Sequence, residues 1–144
     1  MFLTQLFSAS NRSVLILVLF SLITACATKP ESQQLRITNS GDTDIKGLVV
    51  VFPAGQGWDA GISRIEFGDI PAGQTSEYQN VPSGVYRYAA YEYILDGREV
   101  RQPVIDWVGE EPITGKKITY QIALDMNKAV GNQVSLITVL VDEP

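Results

Sequence analysis

Residues 118–125 read Ile118-Thr119-Tyr120-Gln121-Ile122-Ala123-Leu124-Asp125. Large apolar side chains fall at every second position, so Ile118, Tyr120, Ile122 and Leu124 share one face of an extended chain. In a helix, side chains two apart point to different sides, and no single buried stripe would result. The stretch therefore predicts a half-buried β-strand. The same period of two recurs in Leu35-Arg36-Ile37-Thr38 and in Arg64-Ile65-Glu66-Phe67.

Two further runs, residues 48–52 and 136–141, are almost continuously apolar. They predict strands buried on both faces or central in a sheet. Residues 85–95 predict a long aromatic strand whose phase shifts around Ala89-Ala90, which suggests a bulge or bend. Turn chemistry separates these runs: Asn39-Ser40-Gly41-Asp42, Pro53-Ala54-Gly55, Pro71-Ala72-Gly73, Pro82-Ser83-Gly84 and Asp96-Gly97. No amphipathic helix of ordinary length interrupts them, residues 125–129 being too short for one. The expectation is an all-β fold: a single antiparallel β-sandwich of about seven to eight strands, of the immunoglobulin type of architecture, over residues 35–144.

The stretch Ile70-Pro71-Ala72-Gly73-Gln74, followed by Val81-Pro82-Ser83-Gly84-Val85-Tyr86-Arg87-Tyr88, resembles part of a prealbumin-like sandwich. In that family a Pro-small-Gly-x-Tyr turn leads into a strand. The resemblance implies a fold and assigns no functional residue.

The N-terminal region has a different character. Residues 1–12 carry one basic side chain, Arg12, and no acid. An apolar run over residues 14–23 follows, and then Thr24-Ala25-Cys26. A membrane-spanning helix needs about 20 apolar residues. This run is about half that length, as in the apolar core of a secretory signal peptide.

Leu22-Ile23-Thr24-Ala25-Cys26 resembles the lipobox of bacterial lipoproteins. The resemblance implies cleavage between Ala25 and Cys26 and a diacylglyceryl group on the Cys26 thiol. Residues 1–25 would then be a signal peptide, and residues 26–34 the lipidated cysteine with a polar linker. Stable anchoring needs more than one acyl chain, which this modification supplies. Ala27 stands where an inner-membrane retention signal of Gram-negative lipoproteins would have Asp. The family rule implies the outer membrane, facing the periplasm, in a Gram-negative cell, and the outer face of the cell membrane in a Gram-positive one.

Composition bounds the chemistry. The net charge is −5 and the pI about 4.6, which argues against a nucleic-acid partner. The chain has no histidine and one cysteine, so Ser-His-Asp and Cys-His catalysis, a disulfide within the chain and a cysteine-rich zinc site are all excluded. No cofactor and no metal are expected. Asp42 and Asp44 offer oxygen ligands without a calcium-binding loop around them. Asp106, Glu110 and Glu111 flank Trp107, a pattern seen in glycoside hydrolysis, but adjacent side chains on a strand point apart. No catalytic residue is assigned.

The candidate binding surface is aromatic: Trp58, in a loop with three glycines, and Tyr86, Tyr88, Tyr91 and Tyr93. Trp58 is either a binding anchor or a lid over one end of the core. The tyrosines form either an exposed platform or cross-strand packing with hydroxyls at the rim. The functional expectation is a non-enzymatic envelope lipoprotein, held to the membrane through Cys26, whose β domain meets an envelope protein partner. The alternative is a carbohydrate- or small-ligand-binding lipoprotein using its exposed aromatic residues.

Overall fold

A computed structural model gives the structure and describes residues 33–54, 61–104, 107 and 109–142. Ala25, Cys26, Trp58 and Asp106 lie outside the described residues. Within them the chain forms eight strands and no helix: β1 (Gln33–Asn39), β2 (Ile45–Pro53), β3 (Ile62–Ile70), β4 (Gln79–Val81), β5 (Ala90–Leu95), β6 (Arg98–Gln102), β7 (Lys117–Leu124) and β8 (Val134–Asp142). They make two four-stranded sheets, in the orders β4-β1-β7-β8 and β3-β2-β5-β6. The all-β expectation holds, and the sheets pack as a sandwich.

The alternation that predicts β7 is the alternation that is buried. Ile118, Tyr120 and Ile122 are fully enclosed and Leu124 nearly so. They meet Ile45, Leu48, Val50 and Phe52 of β2, together with Leu35 and Ile37 of β1. Phe52 packs edge-on to Tyr120 with ring centroids 6.1 Å apart, and against Tyr86 at 6.3 Å. Such aromatic pairs add about 0.5–1.5 kcal/mol each beyond the area they bury. β2 lies between β3 and β5, as its continuous apolar run predicts.

Its register shifts twice between Ile45 and Val49 against β3. Gly47 sits within this irregularity with φ 56°, and a Cβ there would come 2.9 Å from Ile94 Cδ1. The left-handed backbone conformation favours glycine there, and a larger residue would also have to displace the exposed end of Ile94. At the β5–β6 hairpin, Asp96 and Gly97 both have positive φ, 49° and 74°, the geometry of a two-residue turn whose twist matches its strands.

Four sequence expectations are corrected. First, β1 begins at Gln33, two residues inside the expected linker. The Gln33 side chain clasps two other segments: Nε2 donates to the carbonyls of Ile113 and of Gly115 (2.8 Å), and Oε1 accepts from Val85 N at 2.6 Å. Second, β1 and β7 run parallel, from Gln34↔Lys117 to Asn39↔Ile122. No short turn links these two strands, so nothing local forces them antiparallel. Third, residues 85–95 are not one strand. β5 starts at Ala90, after a bend at Arg87 and Tyr88. Fourth, β8 is neither central nor buried on both faces. It is a sheet edge, with Ile137, Leu140 and Val141 exposed.

The Asn39 turn is closed as its composition implies. Asn39 is buried, and its Nδ2 donates to Thr43 O (2.9 Å) and Ile70 O (3.0 Å) while Oδ1 accepts from Gly41 N (3.1 Å). A buried amide with these groups paired carries little desolvation penalty.

Candidate functional site

The sandwich opens where β6 ends and β8 begins. Gln102, the last residue of β6, reaches across to the first residue of β8: its Nε2 donates to Val134 O (2.7 Å) and its Oε1 accepts from Val134 N (2.8 Å). One side chain thus copies the pairing of a neighbouring strand and ties the two sheets at this corner. Beside it lies a groove of about 550 Å³ lined in part by Tyr88, Tyr91, Pro103, Val104, Lys128 and Leu136.

Each wall has a local cause. The bend at Arg87 and Tyr88 turns the Tyr88 side chain outward, where it is 47% exposed. Trp107 Nε1 donates to the Tyr88 carbonyl at 2.9 Å and steadies that bend, and the Arg87 guanidinium lies 5.9 Å from the Tyr88 ring centroid. Lys128 comes from a turn in which Asp125 Oδ1 accepts from Asn127 N (2.9 Å) and Asp125 O accepts from Lys128 N (3.2 Å). Its Nζ donates to Ser135 Oγ at 2.6 Å, fixing an ammonium at the start of β8. Tyr91 lies on the inward face of β5, and burial alone pushes its phenol far above the ordinary value. Among the described residues, no acidic side chain lines the groove.

The four-tyrosine platform does not form. Tyr86, Tyr91 and Tyr93 are in the core, at 2%, 4% and 1% exposure. Tyr91 and Tyr93, two apart on β5, share its inward face. Tyr93 hydroxyl bonds Gln133 Oε1 at 2.9 Å, while Tyr91 hydroxyl is enclosed with no hydrogen-bond partner among the described residues. Tyr88 alone of the four reaches the surface. Sequence reasoning missed Gln102, Lys128 and the exposed β8 residues. Gln102 and Lys128 carry no local signal, because their partners lie far along the chain or across a turn. The β8 residues carry a signal, an apolar run, but hydropathy alone does not place that strand at a sheet edge.

The carboxylates are occupied structurally. Asp42 accepts from Thr43 Oγ1 (3.2 Å), and Asp44 accepts from Ala72 N (3.0 Å) and faces Lys46 Nζ at 3.6 Å. Among the described residues no group of three or more His, Cys, Asp or Glu side chains is placed to hold a metal ion. On the outer face of the β3-β2-β5-β6 sheet, Glu92 is paired to Arg64 through both carboxylate oxygens and lies 3.7 Å from Arg101, which also meets Glu99 at 3.1 Å. The Arg64 hydrogen bonds hold the Glu92 carboxyl below its ordinary value, against the opposing effect of burial. On the other sheet, Tyr78 lies between cations, with the Arg36 guanidinium 4.7 Å and the Lys117 ammonium 5.3 Å from its ring centroid, and it donates to Asp142 at 2.5 Å.

No family model matches the sequence, and no curated protein matches it. Among solved structures, the chain is similar to one described as the NMR structure of the protein from Eubacterium rectale. The two share 15% sequence identity over 77% of this chain and 93% of that one, with a TM-score of 0.46.

Proposed function

We propose that this protein is a lipid-anchored lipoprotein of the bacterial cell envelope whose β-sandwich is a non-catalytic interaction module. The observation that carries the module reading is the open corner: a mainly apolar groove beside the exposed Tyr88 whose wall includes the first residues of β8, Val134 to Leu136. Surfaces of this kind are where partners bind, because covering them removes apolar area from water. The anchor reading rests on the lipobox-like Leu22-Ile23-Thr24-Ala25-Cys26. From Cys26 to the start of β1 at Gln33 is seven residues. Fully extended they reach about 25 Å, at about 3.5 Å per residue, so the domain works close to the headgroups. Ala27 favours the outer membrane if the cell is Gram-negative.

The test is affinity capture of the full-length chain from cross-linked envelopes, beside Cys26→Ala and Tyr88→Ala. The reading expects an envelope protein whose recovery falls with both substitutions. Recovery unchanged by Tyr88→Ala would remove the groove from the proposal, and a cytosolic, unlipidated product would remove the anchor.

The groove also favours a second reading, a small-ligand or glycan site. It combines an exposed tyrosine ring with the ammonium of Lys128 and the amide of Gln102. This reading expects a saturable thermal shift with glycans or peptidoglycan fragments that Tyr88→Ala abolishes. A flat titration removes it.

A further inference from the structure

The groove at the β6–β8 corner holds an unbalanced set of polar groups. Among the described residues of its wall, Lys128 carries the one ionic side chain. Elsewhere this chain, with net charge −5, sets cations against carboxylates: Lys46 faces Asp44 and Asp69, and Arg36 faces Asp142. Lys128 is exposed and makes no ion pair among the described residues; its Nζ donates to Ser135 Oγ at 2.6 Å. The acid of its own turn, Asp125, spends Oδ1 on Asn127 N (2.9 Å) and Nδ2 (3.2 Å). Glu92 and Glu99, on β5 and β6, are held by arginines on the outer face of their sheet. A second cation, Arg87, stands beside the Tyr88 ring of the wall, 5.9 Å from its centroid.

The neutral groups lean the same way. The Gln102 amide oxygen already accepts from Val134 N, whereas Nε2 donates one hydrogen to Val134 O and keeps a second. The Lys128 ammonium has two hydrogens beyond the one on Ser135. The hydroxyls of Tyr88 and Ser135 serve as donor or acceptor. Donors therefore outnumber acceptors, and the formal charge sits on a donor.

We infer that the groove binds a small organic carboxylate with an apolar body. Lys128 receives the carboxylate, and the body lies against the Tyr88 ring and the apolar wall of Pro103, Val104 and Leu136. A carboxylate brings acceptors and no donor, and its bond to an ammonium is charge-assisted. A neutral sugar brings a donor with every hydroxyl, and the groove has few acceptors to receive them. A phosphate, with close to two negative charges, exceeds what one ammonium balances. The volume of about 550 Å³ lies within the range of small-molecule sites, about 300–1,000 Å³. The inference rests on the small-ligand reading of the groove and names its ligand class.

The test is calorimetric titration of the full-length chain in lipid nanodiscs with phenylacetate and with phenylacetamide, which share a shape and differ in charge. Phenylacetate should bind saturably, at least about tenfold more tightly than the amide. Lys128→Met should erase most of that preference while the melting temperature holds, because Lys128 is exposed. Arg98→Met, at the opposite end of β6 from Gln102, should leave the preference intact. Tyr88→Ala should weaken both probes alike. Equal affinity for acid and amide overturns the inference, and so does a preference that survives Lys128→Met. Equal affinities that Tyr88→Ala still abolishes leave the small-ligand reading standing. Failure of both probes to bind at millimolar concentration overturns the inference and that reading together, while envelope capture judges the protein-partner reading separately.

Discussion

The two strands that meet at the groove are both sheet edges, and they handle that position in opposite ways. β6 reads Arg98-Glu99-Val100-Arg101-Gln102, with charge on every exposed position, Val100 turned to the core and Gln102 half-buried. Arg101 is tied to Glu92 and Glu99, so the outer face there is a ladder of alternating charge. β8 is nearly twice as long and keeps its single charge at the far end. The other edges resemble β6 more than β8: β3 carries Arg64, Glu66 and Asp69, and β4 has three residues. Charge and shortness are the ordinary means of keeping an edge from pairing. Three edges have them and one does not, so the unguarded edge is a feature of the surface and not a general property of the sandwich.

Four substitutions would break or sharpen this contrast. Gln102→Ala has the largest expected effect on stability. It removes two hydrogen bonds and frees the backbone of Val134, at about 1–3 kcal/mol in chemical denaturation. Amide exchange at Val134 should quicken well beyond that of residues in β2, since the corner opens before the core does.

Glu92→Gln attacks the charged side of the comparison. With Glu92 largely buried and Arg64 half exposed, the loss at neutral pH should be about 1–2 kcal/mol. The sign of the pH dependence follows from the lowered carboxyl. Its contribution is complete above the ordinary glutamate value of 4.5 and is lost as pH falls through the lower folded value. The variant should therefore show a flatter acid limb, and an unchanged limb would separate Glu92 from the acid response.

Tyr91→Phe tests the inner wall of the groove. Removing an enclosed hydroxyl with no partner among the described residues should leave stability unchanged or raise it by up to about 1 kcal/mol. Burial raises the Tyr91 and Tyr120 phenols above the ordinary value of 10, so their contribution is complete below that value and is lost as pH rises above it. The variant should lose part of this alkaline destabilisation, which a titration of the melting temperature reads. Leu140→Lys has the smallest effect, within about 0.5 kcal/mol on the monomer, because it gives β8 the guard that β6 already has without disturbing the core.

Much of the fold was legible in the residues. The period of two in β7 identified the buried face, and the Asp96-Gly97 pair marked a hairpin turn that the backbone adopts. The continuous run of β2 correctly announced a central strand. An equally apolar run misled at β8, because hydropathy records what a strand can bury and not which neighbours it receives. The candidate site was legible only at Tyr88. Tyr86, Tyr91 and Tyr93 carry the same chemistry, yet the bend at residues 87–88 and the alternation of β5 send them inward. Trp58, the other aromatic of the expected surface, lies outside the described residues.

The sequence by itself determined the all-β class, the positions of the main turns and the inward face of β7, since these depend on contacts within a few residues and on the two-residue period of an extended chain. It also carries the lipobox-like leader on which the envelope proposal rests. Tertiary structure alone decided strand order, the parallel pairing of β1 with β7, the Gln102–Val134 tie and the exposure of β8. Each joins segments distant in the chain, where the outcome depends on how two twisted sheets meet, and no local pattern encodes that meeting.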